Sequence, residues 1–560
     1  MQTQRFRSGT HRSRRRTTAV ASVTVAALLL GACGGDDDDD DDGAAEPTTP
    51  ATQAPEGTTP GSEAPEGTTP PAGDGGTLVV ALDRDPGFLD PFFVDSNAGR
   101  TVAESMFDSL VWIGPDGDYV PGLAESYNVV DDTTIEFVLR DGISFHNGEP
   151  FNADAVAYSI ERMSDPEVNS HYLPQFESIE EVEIVDDLNV TLHLAGPDAA
   201  IIDTLTHLFV VPPVYAEEVG LEGFEQAPVG TGPFTFVSYA ADDQTVVAAN
   251  PDYWADSPKG APQVDQVTFR VIPEATTRAA ELSAGSVDIA MYLNPDQVAT
   301  VEGSGASVVT YSDLAIDFIQ INTGSFGTVA AEATGDALVG FEALSDARVR
   351  TALNLAIDRE AIVDAYLLGY GSPMGQPFAP GGYLHPSEDL QFAYDPDQAK
   401  ALLAEAGYGD GLTLEMYSDT STSSDMISLV TSMFAEVGVT VEVTVLEDAT
   451  SNDGWVAQQF PHLRFSGWST PQQILALLLQ TGDLISSYSN QEVDALIDEQ
   501  AAQVDPEVRH QTIDELAQVL HDDAAWVYLW ALDAIVGLSA RTTGWAPNTT
   551  HMPVTNVSVG

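Results

Sequence analysis

The chain has 560 residues, 43% of them hydrophobic and 19% charged, with 20 Lys and Arg against 87 Asp and Glu and a formal net charge of −67. That length suits two to four units of ordinary soluble type at about 150 residues each, and the acidic balance excludes nucleic acid as a natural partner because such a field repels phosphate. The single cysteine, Cys33, excludes an internal disulfide and a thiolate metal cluster within one chain.

Residues 1–16 carry six arginines and no acid, and residues 17–32 form an uncharged run rich in Ala, Val and Leu. This is the pattern of an export signal. Sixteen apolar residues fall short of the roughly 20 that span a bilayer, so residues 1–32 are expected to be a signal peptide rather than an anchor helix. Leu30-Gly31-Ala32-Cys33 resembles the lipobox of bacterial lipoproteins, which implies that Cys33 is lipidated and becomes the new N-terminus. Asp36–Asp42 is a run of seven carboxylates that cannot be buried, which sets aside a core position for Cys33. Paired arginines in "SRRRTT" (13–18) hint at twin-arginine export but lack the apolar residue that should follow, so both export routes stay open. Loss of residues 1–32 leaves 14 basic residues against 87 acids.

From residue 34 to 76 the chain is almost entirely Asp, Gly, Pro, Thr, Glu and Ala, with "APEGTTP" at 54–60 and again at 64–70. Nothing here can bury enough apolar area to offset ordering, so residues 33–76 are expected to be a lipidated cysteine and a disordered acidic tether. "GTLVVALD" at 76–83 then reads as a buried strand. Further strands are predicted at 134–139, 190–194, 266–271 and 439–445, and helices at 153–163, 346–367, 396–406 and 490–522. The alternation gives a mixed α/β class. No zinc-protease, nucleophile-elbow, phosphate-loop or dinucleotide motif is present, and "GYGSPMG" (369–375) has the wrong spacing for the last.

"TIEFVLRDGISFHNGEPFNADAVAYSIER" (134–162) resembles the signature region of bacterial extracellular solute-binding proteins of family 5, the peptide/nickel group of ABC-transporter receptors. Within it, Asp141, His146, Glu149 and Asp154 read as turn chemistry and helix capping rather than a metal site, with Gly142 and Gly148 supplying unusual backbone angles and Asn152 the N-cap. Further matching segments are "FLDP" (88–91), "MFDSLVWIGPDGDYVPGLAESY" (106–127), "PVGTGPFTF" (228–236), "NPDYW" (250–254), "DARVRTALNLAIDREAIV" (346–363) and "YDPDQAKALLAEAGY" (394–408). The resemblance implies a two-lobed, periplasmic-binding-protein-like clamshell. Its first lobe would take residues 77–318 and 533–560, with an extra subdomain near 105–230. Its second lobe would take residues 319–532.

A clamshell holds its ligand between the lobes. The candidates on the first lobe are Asp95, Ser96 and Tyr172. On the second they are Tyr417, Arg464 and Trp468, with Trp530 near the second crossing. In an extended strand Arg464, Ser466 and Trp468 share one face, which would set a cation beside an indole. The opposing reading makes the aromatics core and pairs Arg464 with one of many acids. Peptide-binding members of the family commonly carry an aspartate three residues after the Gly-Trp tryptophan, where this chain has Pro471. Ordinary peptides are weakened as ligands, and Arg464 leaves room for an acidic or carbohydrate-like group.

The expected function is a solute-binding receptor of an ABC importer. It would take a peptide-like or other small organic solute and deliver it to a membrane permease, without catalysis, cofactor or metal. It would act as a monomer, lipid-anchored to the outer face of the cytoplasmic membrane on the periplasmic or cell-surface side. The alternatives are a secreted carboxylate-based glycosidase and a transporter-independent ligand sensor.

Overall fold

The computed structural model describes residues 75–560 apart from 115–117, 324–332, 383, 421, 448–449, 452–453, 455–456, 458–459, 461, 469–473, 483–484 and 548–552. The signal segment, Cys33 and nearly all of the tether lie outside the described residues, as does Pro471.

The first strand, β1 (Thr77–Leu82), buries Leu78, Val80 and Leu82 completely and leads to α1 (Asn97–Met106). A separate antiparallel sheet follows, formed by β2 (Ala124–Asp131), β3 (Thr134–Leu139), β4 (Ile179–Asp186) and β5 (Asn189–Leu194) in the order β2-β3-β5-β4. In β3 the alternation is clean: Ile135, Phe137 and Leu139 point inward, while Glu136 and Val138 face out. Helix α2 (Ala153–Met163) starts on Asn152, whose side chain accepts from the Ala155 N–H, and α3 (Ile201–Thr206) follows the small sheet.

The chain then adds β6 (Phe234–Ala240), β7 (Gln244–Ala249), β8 (Gln266–Val271) and β9 (Ile289–Ala290) before the long β10 (Ser307–Ile321). After β10 come α4 (Ala347–Leu355), α5 (Arg359–Ala365), α6 (Pro396–Glu405), β11 (Leu412–Asp419), β12 (Val439–Leu446) and β13 (Leu463–Trp468). Helices α7 (Gln491–Ala502) and α8 (Pro506–Asp522) precede the second long strand, β14 (Trp526–Leu538).

Ten of these strands form one sheet in the order β12-β11-β13-β10-β14-β9-β1-β8-β7-β6, with residues 371–373 pairing on β14 as an eleventh. Its centre is the antiparallel pair β10–β14, in register from Ser307 opposite Leu538 to Gln320 opposite Trp526. Two hydrophobic clusters draw their buried residues from 78–301 and 535–557, and two others from 316–531. The two pairs of clusters thus draw on separate stretches of chain, close to those the sequence assigns to the two lobes. The β10–β14 register slips between Ser312 and Ile316 and again between Asp317 and Phe318, where the clusters change over. Such slips bend a strand pair, and here they sit where the chain crosses between lobes.

The predicted helices over 346–367 and 490–522 are each two helices. Asp358 ends the first by capping α5 through the Ala361 N–H, and Asp505 caps α8 through the Glu507 and Val508 N–H groups. Pro506 then occupies the first position of α8, where its missing N–H costs nothing, but it could not continue α7.

Candidate functional site

Several segments that carry the sequence resemblance meet at a structural knot. Asp108 of "MFDSLVW" receives Thr231 Oγ1 at 3.0 Å, Tyr253 Oη at 3.1 Å and Trp254 Nε1 at 3.0 Å, and lies 2.9 Å from Lys259 Nζ. Lys259 also donates to the Glu104 and Phe107 carbonyls and stands 4.6 Å from the Trp112 ring centre. A recess beside it, lined in part by Thr101, Trp112 and Pro553, is too narrow for a water molecule. The knot therefore holds the first lobe together and offers no seat for a ligand. Gly230 and Gly232 belong to the same packing, since a Cβ on either would come within 2.6 Å of the Met106 backbone.

His146 lies in this region too. Its Nε2–H donates to the Gly232 carbonyl at 3.0 Å, and its Nδ1 accepts from the Gly230 N–H at 3.3 Å. Burial pushes its pKa down, and the two bonds fix a neutral tautomer. Glu149 accepts from the N–H groups of Val214 and Tyr215, while Gly142 and Gly148 have φ of 80° and 87°. Among the described residues no group of three or more His, Cys, Asp or Glu is placed to hold a metal.

The first-lobe candidates come together. The His171 N–H and the Ser170 hydroxyl both donate to the Phe92 carbonyl, which ties the segment before Tyr172 to the loop carrying Asp95. Asp95 is exposed. Ser96 is the N-cap of α1 and accepts from the Gly99 N–H at 3.1 Å. Tyr172 is half-buried, with His171 edge-on at 5.2 Å and His207 at 5.1 Å. Burial raises its phenol pKa, and the Arg100 charge opposes the rise.

On the second lobe, Tyr417, Arg464, Gln320 and Trp526 form one row across β11, β13, β10 and β14. As the alternation predicts, Arg464, Ser466 and Trp468 share a face, opposite Gln320, Phe318 and Ile316 of β10. Tyr417 and Trp468 keep part of their surface open. Arg464 is buried: it donates to Ser466 Oγ at 2.5 Å and Ser451 Oγ at 3.1 Å, with Asp419 3.8 Å away. Burial pulls its pKa down to about 10 against the pull of Asp419.

Trp530 is the candidate near the second crossing. It is fully buried in the second lobe, and its indole N–H donates to Asp317 Oδ2 at 2.8 Å, so it serves as packing in this conformation. Asp317 itself escapes the sequence reading. Burial pushes its carboxyl up to about 6, only partly offset by the indole N–H. It sits opposite Gly467, where a Cβ would come within 2.9 Å of Asp317 Oδ1. The available signal was one acid inside the otherwise apolar alternation of "AIDFIQI".

Ser387, His510 and Asp514 have the composition of a hydrolytic triad but not its geometry. Ser387 Oγ donates to Asp514 at 2.7 Å and lies 3.0 Å from His510 Nε2, while the acid also receives the Ser387 N–H. The acid thus binds the serine directly instead of orienting the histidine, and all three are exposed at the contact.

Tyr417 and Trp468 on one sheet face, and Tyr172 with Asp95 near α1, are thus partly open to solvent. Residues 118–503 match the family described as bacterial extracellular solute-binding proteins, family 5. The chain belongs to this family. This solute-binding protein is 28% identical over 488 residues to the glutathione-binding protein GsiB of Pectobacterium atrosepticum, covering 83% of this chain and 91% of that one. It is 27% identical over 517 residues to the heme-binding protein A of Haemophilus influenzae, covering 85% and 90%. Its fold matches the crystal structure of the ABC transporter substrate-binding protein CtaP of Listeria monocytogenes with a TM-score of 0.76 at 24% identity, over 87% of this chain and all of that one. Among the described residues of the solute-binding protein, no helix is long and apolar enough to cross a membrane.

Proposed function

We propose that the solute-binding protein is the receptor of an ABC importer. It captures a peptide-like or other small organic solute between its lobes and hands it to a permease without chemical change. Lobe one takes residues 77–318 and 533–560, and lobe two takes 319–532. The observation that carries this reading is that Trp468 and Tyr417 stand partly open on one face of the sheet, on either side of the bonded Arg464 and Ser466. An amphipathic aromatic wall on a fixed support is what a small-solute seat requires. Asp95 and Tyr172 form the opposite wall, and Ser96 orients α1 beneath them. The relatives named for glutathione and heme support an organic solute over a bare metal ion.

Purified protein, denatured and analysed by mass spectrometry, should release one small organic solute. If native protein converts that solute to a product, the receptor reading is overturned in favour of an enzyme. The lipobox-like sequence supports a monomer tethered through lipidated Cys33 to the outer face of the cytoplasmic membrane. Cys33→Ser should move the protein from the membrane fraction to the soluble fraction, and continued membrane association would contradict the anchor.

A further inference from the structure

Away from the strand pair β10–β14, the two halves of the chain are joined by one main-chain bond and one side-chain bond. The Ala199 N–H, just ahead of α3, donates to the Ala501 carbonyl at 2.8 Å, and Arg509 Nη1 donates to the Ala199 carbonyl at 3.0 Å. Ala199 follows the small sheet of the first lobe; Ala501 ends α7 and Arg509 opens α8 in the second. We propose that this junction is a latch that holds the two lobes closed and that must be undone before solute is released.

Both halves are built to meet. The last carbonyls of a helix lack partners within it, and Ala501 lies at the end of α7. A cation is favoured at that negative end, where Arg509 stands. Gln500, fully buried, accepts from Arg509 Nε at 3.2 Å and Nη2 at 3.1 Å, which aims the guanidinium before any contact with the first lobe. On the other side, Asp198 accepts from the Ala200 N–H at 2.9 Å and shapes the turn that presents Ala199. Asp203 of α3 is close enough for its charge to interact with Arg509, and it accepts from Tyr119 Oη at 3.1 Å.

Helix α3 also connects the latch to the candidate site. Ala199 precedes its first turn, and His207 at its other end packs on Tyr172 and contacts Arg100. A solute resting on Tyr172 would therefore be one ring contact, through His207, from the element whose other end makes the latch. Water can replace each bond when the lobes part, so the latch is reversible.

The inference rests on the receptor reading only in requiring that the lobes open, and its test needs no solute. An amide–carbonyl bond of this length places the two Cα atoms about 5–6 Å apart, within reach of a disulfide. In the whole chain carrying Cys33→Ser, the pair Ala199→Cys and Ala501→Cys should cross-link on mild oxidation. Arg509→Ala added to that pair should slow cross-linking about tenfold, as expected for loss of a charge-assisted bond. No cross-link, or the same rate with and without Arg509, would overturn the latch. Small-angle scattering decides the matter if the cysteine pair folds poorly. Arg509→Ala alone should have a larger radius of gyration than the wild type, and equal radii would overturn the latch. A failed search for a bound solute would leave these results standing.

Discussion

Asp317 shows what a single residue contributes at the crossing between lobes. It meets Trp530 through one oxygen, and Gly467 leaves space at the other. Its folded pKa of about 6 lies above the usual carboxylate range, so between pH 4 and 6 the folded chain holds more protons than the unfolded one. Its contribution to stability is therefore greatest in acid and is lost as pH rises through 6. Two pK units correspond to about 3 kcal/mol, which partial exposure reduces to about 1–3 kcal/mol. Asp317→Asn keeps an acceptor for the indole and removes the charge. We expect it to raise the melting temperature at pH 8 and to lose that gain towards pH 4. A pH-independent change in thermal melts would contradict this account.

Elements were legible where one local rule decided them. The strands at 134–139 and 266–271 and the helix at 153–163 fall on the residues that alternation and the Asn152 cap predict. The breaks at Asp358 and Asp505 were not read, because the helical pattern of apolar residues continues through both positions and only the caps interrupt it. At the site, alternation along β13 correctly put Arg464 and Trp468 on one face. It could not tell that Ser466 and Ser451 would hold the guanidinium, because strand alternation says which side chains share a face and not which of them bond to one another. The burial of Trp530 was not legible either, because it comes from helices packed over β14.

Long-range fastening also explains "FLDP". Asp90 accepts from Arg162 at the end of α2 at 3.1 Å, both side chains are buried, and the guanidinium lies 4.5 Å from the Phe92 ring centre. Removing one partner of a buried pair leaves the other charge uncompensated, at a cost of about 3–5 kcal/mol. Asp90→Ala should lower the urea midpoint of the first lobe accordingly. A change no larger than that of an exposed acid would show that α2 is fastened by other contacts.

At the scale of the whole molecule, many of the cations among the described residues lie in the interior. Arg100, Arg162, Arg278, Arg350, Arg359, Arg464 and Lys259 are buried and bonded inside the protein, several of them to buried acids such as Glu104, Asp90 and Asp108, while most of the acids among the described residues stay at least partly exposed. The chain as a whole stays strongly acidic, while the buried cations organise the interior. Between the lobes, the strand pair β10–β14 provides the bend and the junction at Ala199 the closure.

The central claim is that a small solute is held between these lobes against Trp468. The most direct measurement is calorimetric titration of the solute released from purified protein back into wild type and Trp468→Ala, with thermal melts in parallel. We expect affinity at least tenfold weaker in the variant, in line with loss of a buried aromatic contact worth about 2 kcal/mol or more, at nearly unchanged melting temperature. Equal affinity in the two proteins would place Trp468 in the core and contradict the account.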